Sequence, residues 1–158
     1  MPSGDGRYKL TLDVARDRFT EGREWWTTST ATSTTWTFDS SQPKGDKVSV
    51  LPLLQIGYDI DADLDNTVRA GRPYPLKLSL GYQPGYQRAG KIAVVVRVSY
   101  DDGAHWRTAA TTGGRQVTAT IPAAPAGARF ATVRVTATDA AGNRIDQTIT
   151  RAWKVSEG

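Results

Sequence analysis

Three groups of residues carry side chains whose types and spacing could do chemistry. The first is Ser99, Asp101, Asp102 and His105, a serine, two acids and the chain's single histidine within seven positions. Acyl transfer would need an imidazole set between a carboxylate and a serine presented on a sharp turn. No nucleophile-elbow pattern surrounds Ser99, and the Asp101-Asp102-Gly103 stretch reads as a turn whose acids cap their own backbone. The second is Asp59, Asp61, Asp63 and Asp65, standing at every second position of YDIDADLDN. On an extended strand these carboxylates share one face at about 6–7 Å per pair. A calcium site through Asp61, Asp63 and Asp65 therefore requires the chain to bend near Leu64. The alternative is a solvated edge whose charge discourages edge-to-edge pairing. The third is Trp25, Trp26 and Trp36, which suit either a platform for sugar rings or a packing surface between β units. Trp36, on a stretch ending in Phe38, is read as packing, and Trp25 or Trp26 as the more exposed.

Other chemistries find no foothold. The chain has no cysteine, which removes disulfides, thiolate metal sites and a cysteine nucleophile together. One histidine leaves no histidine pair for zinc, and no glycine-rich phosphate loop is present. No carboxylate pair is singled out for glycoside hydrolysis. The net charge of +4 is spread singly along the chain, so no nucleic-acid groove is expected. No run approaches the roughly 18 apolar residues of a transmembrane helix. The expectation is a non-enzymatic, secreted protein without a cofactor, calcium being the one alternative.

The elements that must position these residues are strands. Residues 91–106, KIAVVVRVSYDDGAHW, set Ile92, Val94, Val96, Val98 and Tyr100 on one face, with a turn and a return strand after it. Ser99, Asp101, Gly103 and Trp106 fit Ser-x-Asp-x-Gly-x-x-Trp, the pattern of an Asp-box hairpin, a structural turn with the tryptophan packed beneath it. One copy argues against a propeller, which repeats such units. Trp106 is expected to pack on Val96, Val98 or Tyr100 and to behave as a core residue. Further strands read inward at Leu54, Ile56, Tyr58 and Ile60, at Leu76, Leu78 and Leu80, and at Val117, Ala119 and Ile121. The last two read inward at Ala131, Val133, Val135 and Ala137, and at Ile145, Ile149, Trp153 and Val155, joined by a turn through Asp139 and Asn143. Seven strands across residues 50–158 are the count of an immunoglobulin-like or fibronectin III-like antiparallel β-sandwich.

Ahead of it, residues 1–39 read as a small β unit of about three strands. Tyr8, Leu10, Leu12 and Val14 alternate with Lys9, Thr11 and Asp13 to give its first strand, and residues 16–23 are a charged loop. Residues 40–49 read as a linker. The small unit holds too little chain for its own core, so it must dock or belong to a preceding sheet. The opening MPSGDG reads as the cut edge of a larger protein.

Several stretches in this order carry a family resemblance: Tyr8-Lys9-Leu10-Thr11-Leu12, Trp36-Thr37-Phe38-Asp39-Ser40, LPLLQIGYD at 51–59, DLDN at 63–66, Ser99-Tyr100-Asp101-Asp102-Gly103 with Trp106, and VTATDAAGN at 135–143. The chain resembles the post-catalytic C-terminal region of secreted subtilisin-like serine peptidases of Streptomyces and related actinobacteria. The peptidase motifs Asp-Ser-Gly, His-Gly-Thr and Gly-Thr-Ser-Met-Ala are absent, so no catalytic residue carries over. The resemblance implies an accessory module serving stability or placement. Its partners would be the catalytic domain of the parent peptidase and either protein substrate or cell-wall polysaccharide. A carbohydrate-binding module or a structural spacer are the alternatives.

Overall fold

The computed structural model describes residues 6–15, 19–20, 23–24, 30–40, 50–60, 67–86 and 90–157. Every regular element among them is a strand: β1 (Gly6–Ala15), β2 (Phe19–Thr20), β3 (Arg23–Glu24), β4 (Ala31–Ser40), β5 (Leu54–Ile60), β6 (Thr67–Arg69), β7 (Tyr74–Tyr82), β8 (Ile92–Ser99), β9 (Arg107–Gly113), β10 (Gln116–Ile121), β11 (Phe130–Asp139) and β12 (Arg144–Ser156). The protein is all-β, as its alternating apolar residues predict. No helix among the described residues is long and apolar enough to cross a membrane.

The strands follow one hydrogen-bonded path, β1-β4-β12-β11-β8-β9-β10-β7-β5. The ladder runs unbroken through β9. Its first residues, Arg107–Ala109, pair with β8, and Ala110–Gly113 pair with β10. One strand thus pairs with both β8 and β10 and carries the path from one to the other. Neighbour order is β5–β7–β10–β9 on one side and β8–β11–β12 on the other, the adjacency of the A-B-E-D and C-F-G strands of immunoglobulin-like chains. Short β6 adds in parallel to the end of β12 through Thr67–Lys154 and Val68–Val155.

β5, at one end of this path, meets β4 and β12 near the other end through side chains. Trp36 of β4 donates its Nε1–H to the carbonyl of Leu54 on β5 at 2.8 Å. Tyr58 of β5 donates to Gln147 of β12 at 2.7 Å, and Gln147 passes the bond to Thr34 of β4 at 2.9 Å. Between them lie Leu54, Leu76, Leu78, Val96, Val98, Val117, Ala119, Ile121, Val133, Val135, Ile145 and Trp153, all buried. These are the positions the period-two pattern places inward, and each sits on an apolar face because successive side chains of a strand alternate.

The N-terminal stretch differs from its reading at β2 and β3, and it leaves one face of β1 open. Where a loop is expected over residues 16–23, β2 and β3 pair with each other at Phe19–Glu24 and Thr20–Arg23. The apolar side of β1 is not covered: Leu10, Leu12 and Val14 are 45%, 53% and 46% exposed. The alternation is genuine, but β1 lies two strands beyond β12, where β5 no longer reaches. The pairing that holds it is explicit. β4 lies along β12 from Thr37–Arg144 to Ala31–Thr150, and β1 lies along β4 over its whole length. Tyr8 also stacks on Phe38 with ring centres 6.0 Å apart.

Candidate functional site

Among the described residues, the cluster richest in reactive groups sits where β8 ends. The chain turns through Asp102 (φ 55°) and Gly103 (φ 94°), and a left-handed pair of this kind needs local hydrogen bonds to hold it. Ser99, 1% exposed, supplies them. Its hydroxyl donates to Asp101 Oδ1 at 2.7 Å and accepts from the Gly103 amide at 2.8 Å. Asp101 Oδ1 also accepts from the His105 amide at 2.8 Å, and Oδ2 lies 2.6 Å from His105 Nδ1. The bonds from Ser99 and from the His105 backbone and ring hold the Asp101 carboxyl below the usual carboxylate range. As a carboxylate it can only accept, so Nδ1 carries the proton and Nε2 faces solvent.

This is a Ser–Asp–His cluster with the carboxylate in the middle. Acyl transfer needs the imidazole in the middle, where it can take the serine proton. Here the Ser99 proton points at Asp101, and the His105 side chain is 89% exposed on the far side. The trio performs turn closure. Beside it a shallow cleft of about 120 Å³ is lined by Val98, Tyr100, Asp101, His105, Arg107 and Pro125.

Trp106 departs from its reading. It lies against Gly103, where an added Cβ would come within 3.4 Å of the indole, but it is half-buried and takes the place of a lid on the turn, not of a core residue. Among the described residues the deeply buried tryptophan is Trp153. Its Nε1–H donates to the Tyr74 hydroxyl at 2.9 Å, with the rings edge to face at 5.9 Å and 85°. Tyr74 lies 2.8 Å from the Tyr100 hydroxyl, which donates to the Pro122 carbonyl at 2.6 Å. Since Tyr100 spends its proton on Pro122, Tyr74 must donate to Tyr100, and the whole relay has one direction.

Arg151 escapes sequence reasoning altogether. β11 and β12 fall out of register between Ala131 and Val133, and the excess chain of β12 bulges at Arg151 (φ 53°). Its guanidinium binds both carboxylate oxygens of Asp102 at 3.1 and 3.0 Å and lies 4.7 Å over the Phe130 ring. The β8–β9 turn is thereby clamped to β12. Nothing in the sequence marks an arginine as the residue that will take a positive φ.

Asp139 and Asn143 close the second turn. Asp139 Oδ1 accepts from the amides of Ala141 and Asn143, both at 2.9 Å, and Oδ2 accepts from Asn143 Nδ2 at 2.9 Å and from the Tyr82 hydroxyl at 2.7 Å. Asn143 Oδ1 in turn accepts from the Asp39 amide at 3.2 Å. Arg7 spans Asp39 and the Gly142 carbonyl, the latter at 2.8 Å. This turn therefore ties β1 and β4 to the end of β11. Of the remaining sequence-predicted residues, Trp36 lies against the β5 backbone, while Trp25, Trp26, Asp61, Asp63 and Asp65 fall outside the described residues.

The buried hydroxyls have a consequence at alkaline pH. Burial raises the Tyr58, Tyr74, Tyr82 and Tyr100 phenols above their ordinary value, Tyr82 to about 12 with the Asp139 bond adding to the effect. Because the folded value is the higher one, the stability they contribute is complete below about pH 10 and falls as pH rises from there. A titration of phenolate absorbance should show these four ionising together with loss of the strand circular dichroism. Ionisation of all the tyrosines near pH 10 with the fold intact would contradict it. No family model, curated protein or solved structure matches this chain.

Proposed function

We propose that this chain is a non-catalytic accessory domain of a secreted subtilisin-like serine peptidase, stabilising the enzyme or placing it on protein substrate. The reading rests on the resemblance of the LPLLQ, DLDN and turn segments. One observation carries it beyond that: the serine, acid and histidine of the β8–β9 turn are engaged with one another in closing the turn. Ser99 is buried and bonded away from the imidazole, so the side chains best suited to catalysis build a scaffold.

The test uses the full gene product that contains this chain. Intact protein should cleave a small peptide substrate, and protein lacking residues 6–157 should retain that cleavage while losing thermal stability or retention on insoluble protein. A gene product without serine-peptidase activity overturns the reading. Retention on cell-wall polysaccharide, with none on protein, replaces it by carbohydrate binding.

A further inference from the structure

We propose that β1 is a self-association edge, and that two copies of the chain pair antiparallel about a two-fold axis at Thr11. Among the described residues β1 ends the sheet and is hydrogen-bonded on one side only, to β4. Along its ten residues every second one points its backbone N–H and C=O away from β4, and these form a template for another strand. The same strand displays Leu10, Leu12 and Val14 on one face at 45%, 53% and 46% exposure. That face is continuous with the inner face of the sheet, since Leu10 lies opposite Trp36, and Trp36 opposite Ile145. Trp36 is the last residue on this row to meet β5, through Leu54. Beyond it no described residue covers the face.

A second copy is the occupant because the β1 sequence complements itself. Residues directly opposite one another in a ladder point to the same face, so the stripe stays continuous only where paired numbers have an even sum. Centring on Thr11 sets Lys9 opposite Asp13, Leu10 opposite Leu12 and Tyr8 opposite Val14, each pair formed twice by the symmetry. Both charge pairs are attractive, and all four apolar pairs join side chains on the open face. Centring on Lys9 or on Asp13 would set like charges against each other. Centring on Leu10 would call on Arg7 to pair with Asp13, but Arg7 is held by Asp39 and by the Gly142 carbonyl. Centring on Leu12 forms no charge pair. Lys9 and Asp13 are exposed on the face opposite the stripe, so they report the register without touching the apolar contacts; Asp13 accepts from the Ser33 hydroxyl through Oδ1, which leaves Oδ2 for Lys9 of the second copy.

The test is a charge exchange followed by sedimentation of the full chain over a concentration series. The unaltered chain should show a monomer–dimer equilibrium. Lys9→Asp and Asp13→Lys should each weaken it about ten-fold or more, since each replaces two attractive pairs by two repulsive ones. An equimolar mixture of the two single variants should regain dimer as a heterodimer, and the double variant carrying both changes should regain the homodimer. Circular dichroism and thermal midpoints of the single variants establish that they are folded. An unaltered chain that stays monomeric throughout overturns the proposal. So do single variants that dimerise as the parent does, or a mixture that stays monomeric.

Discussion

Replacing Trp153 by alanine is expected to cost about 3–5 kcal/mol, the range for removing a large aromatic from a packed core. Trp153 is 3% exposed, stands on the inner face of β12, and meets Tyr74 edge to face. Truncation would leave a void between β7 and β12 that the rigid strands on either side cannot close. It would also remove the donor that heads the relay through Tyr74 and Tyr100 to the Pro122 carbonyl. The two losses separate with Trp153→Phe, which keeps most of the volume and forfeits the N–H; about 1–2 kcal/mol is expected there. Trp106→Ala serves as the comparison at about 1–2 kcal/mol, because its half-buried ring covers a turn. Urea unfolding followed by circular dichroism measures all three. A Trp106→Ala cost exceeding that of Trp153→Ala would move the centre of the core away from β7 and β12.

That comparison also shows where sequence reading succeeds and where it stops. The inner faces of β5, β7, β8, β10, β11 and β12 were legible residue by residue, because alternation and β-branching record burial directly. The same signal misleads on β1. Tyr8, Leu10, Leu12 and Val14 alternate as faithfully as any core strand, yet alternation says only that one face is apolar, not that something covers it. Trp106 misleads for a related reason: its place in the Asp-box pattern marks it as packed beneath the turn, but not how deep that turn lies. The shared strand β9 was out of reach, since RTA and ATTG carry no mark of which neighbour each half will choose. Arg151 was equally hidden, because the bulge that gives it a positive φ comes from a mismatch of pairing between β11 and β12, a property of two strands and not of either alone.

Asp139→Ala is expected to cost about 3–5 kcal/mol, out of proportion to a single side chain in a surface turn. Asp139 is 7% exposed and its two oxygens receive four hydrogen bonds. Burial alone would push its pKa up; the bonds from Asn143, Tyr82 and the turn amides outweigh this and hold it below the usual range. A folded pKa below the unfolded one, about 3.9, makes the contribution complete above that pH and progressively lost as pH falls below it. Alanine leaves the Tyr82 hydroxyl and the Asn143 amide without their acceptor, at about 1–3 kcal/mol for each stranded polar group. Asp139→Asn keeps an acceptor for the amides but turns a donor toward Tyr82, so it should fall between the parent and alanine. Tyr82→Phe removes the donor as well as the need for an acceptor, at about 1 kcal/mol, and the Tyr82→Phe and Asp139→Ala costs should add to less than their sum when combined. The loss should also travel. Asn143 and Gly142 hold Asp39 and Arg7, so amide exchange along β1 and β4 should quicken in Asp139→Ala well before the strands around Trp153 respond. A variant that loses less than about 1 kcal/mol, or whose β1 amides stay as protected as those of the parent, would show that the N-terminal strands are held by the β4–β12 ladder alone.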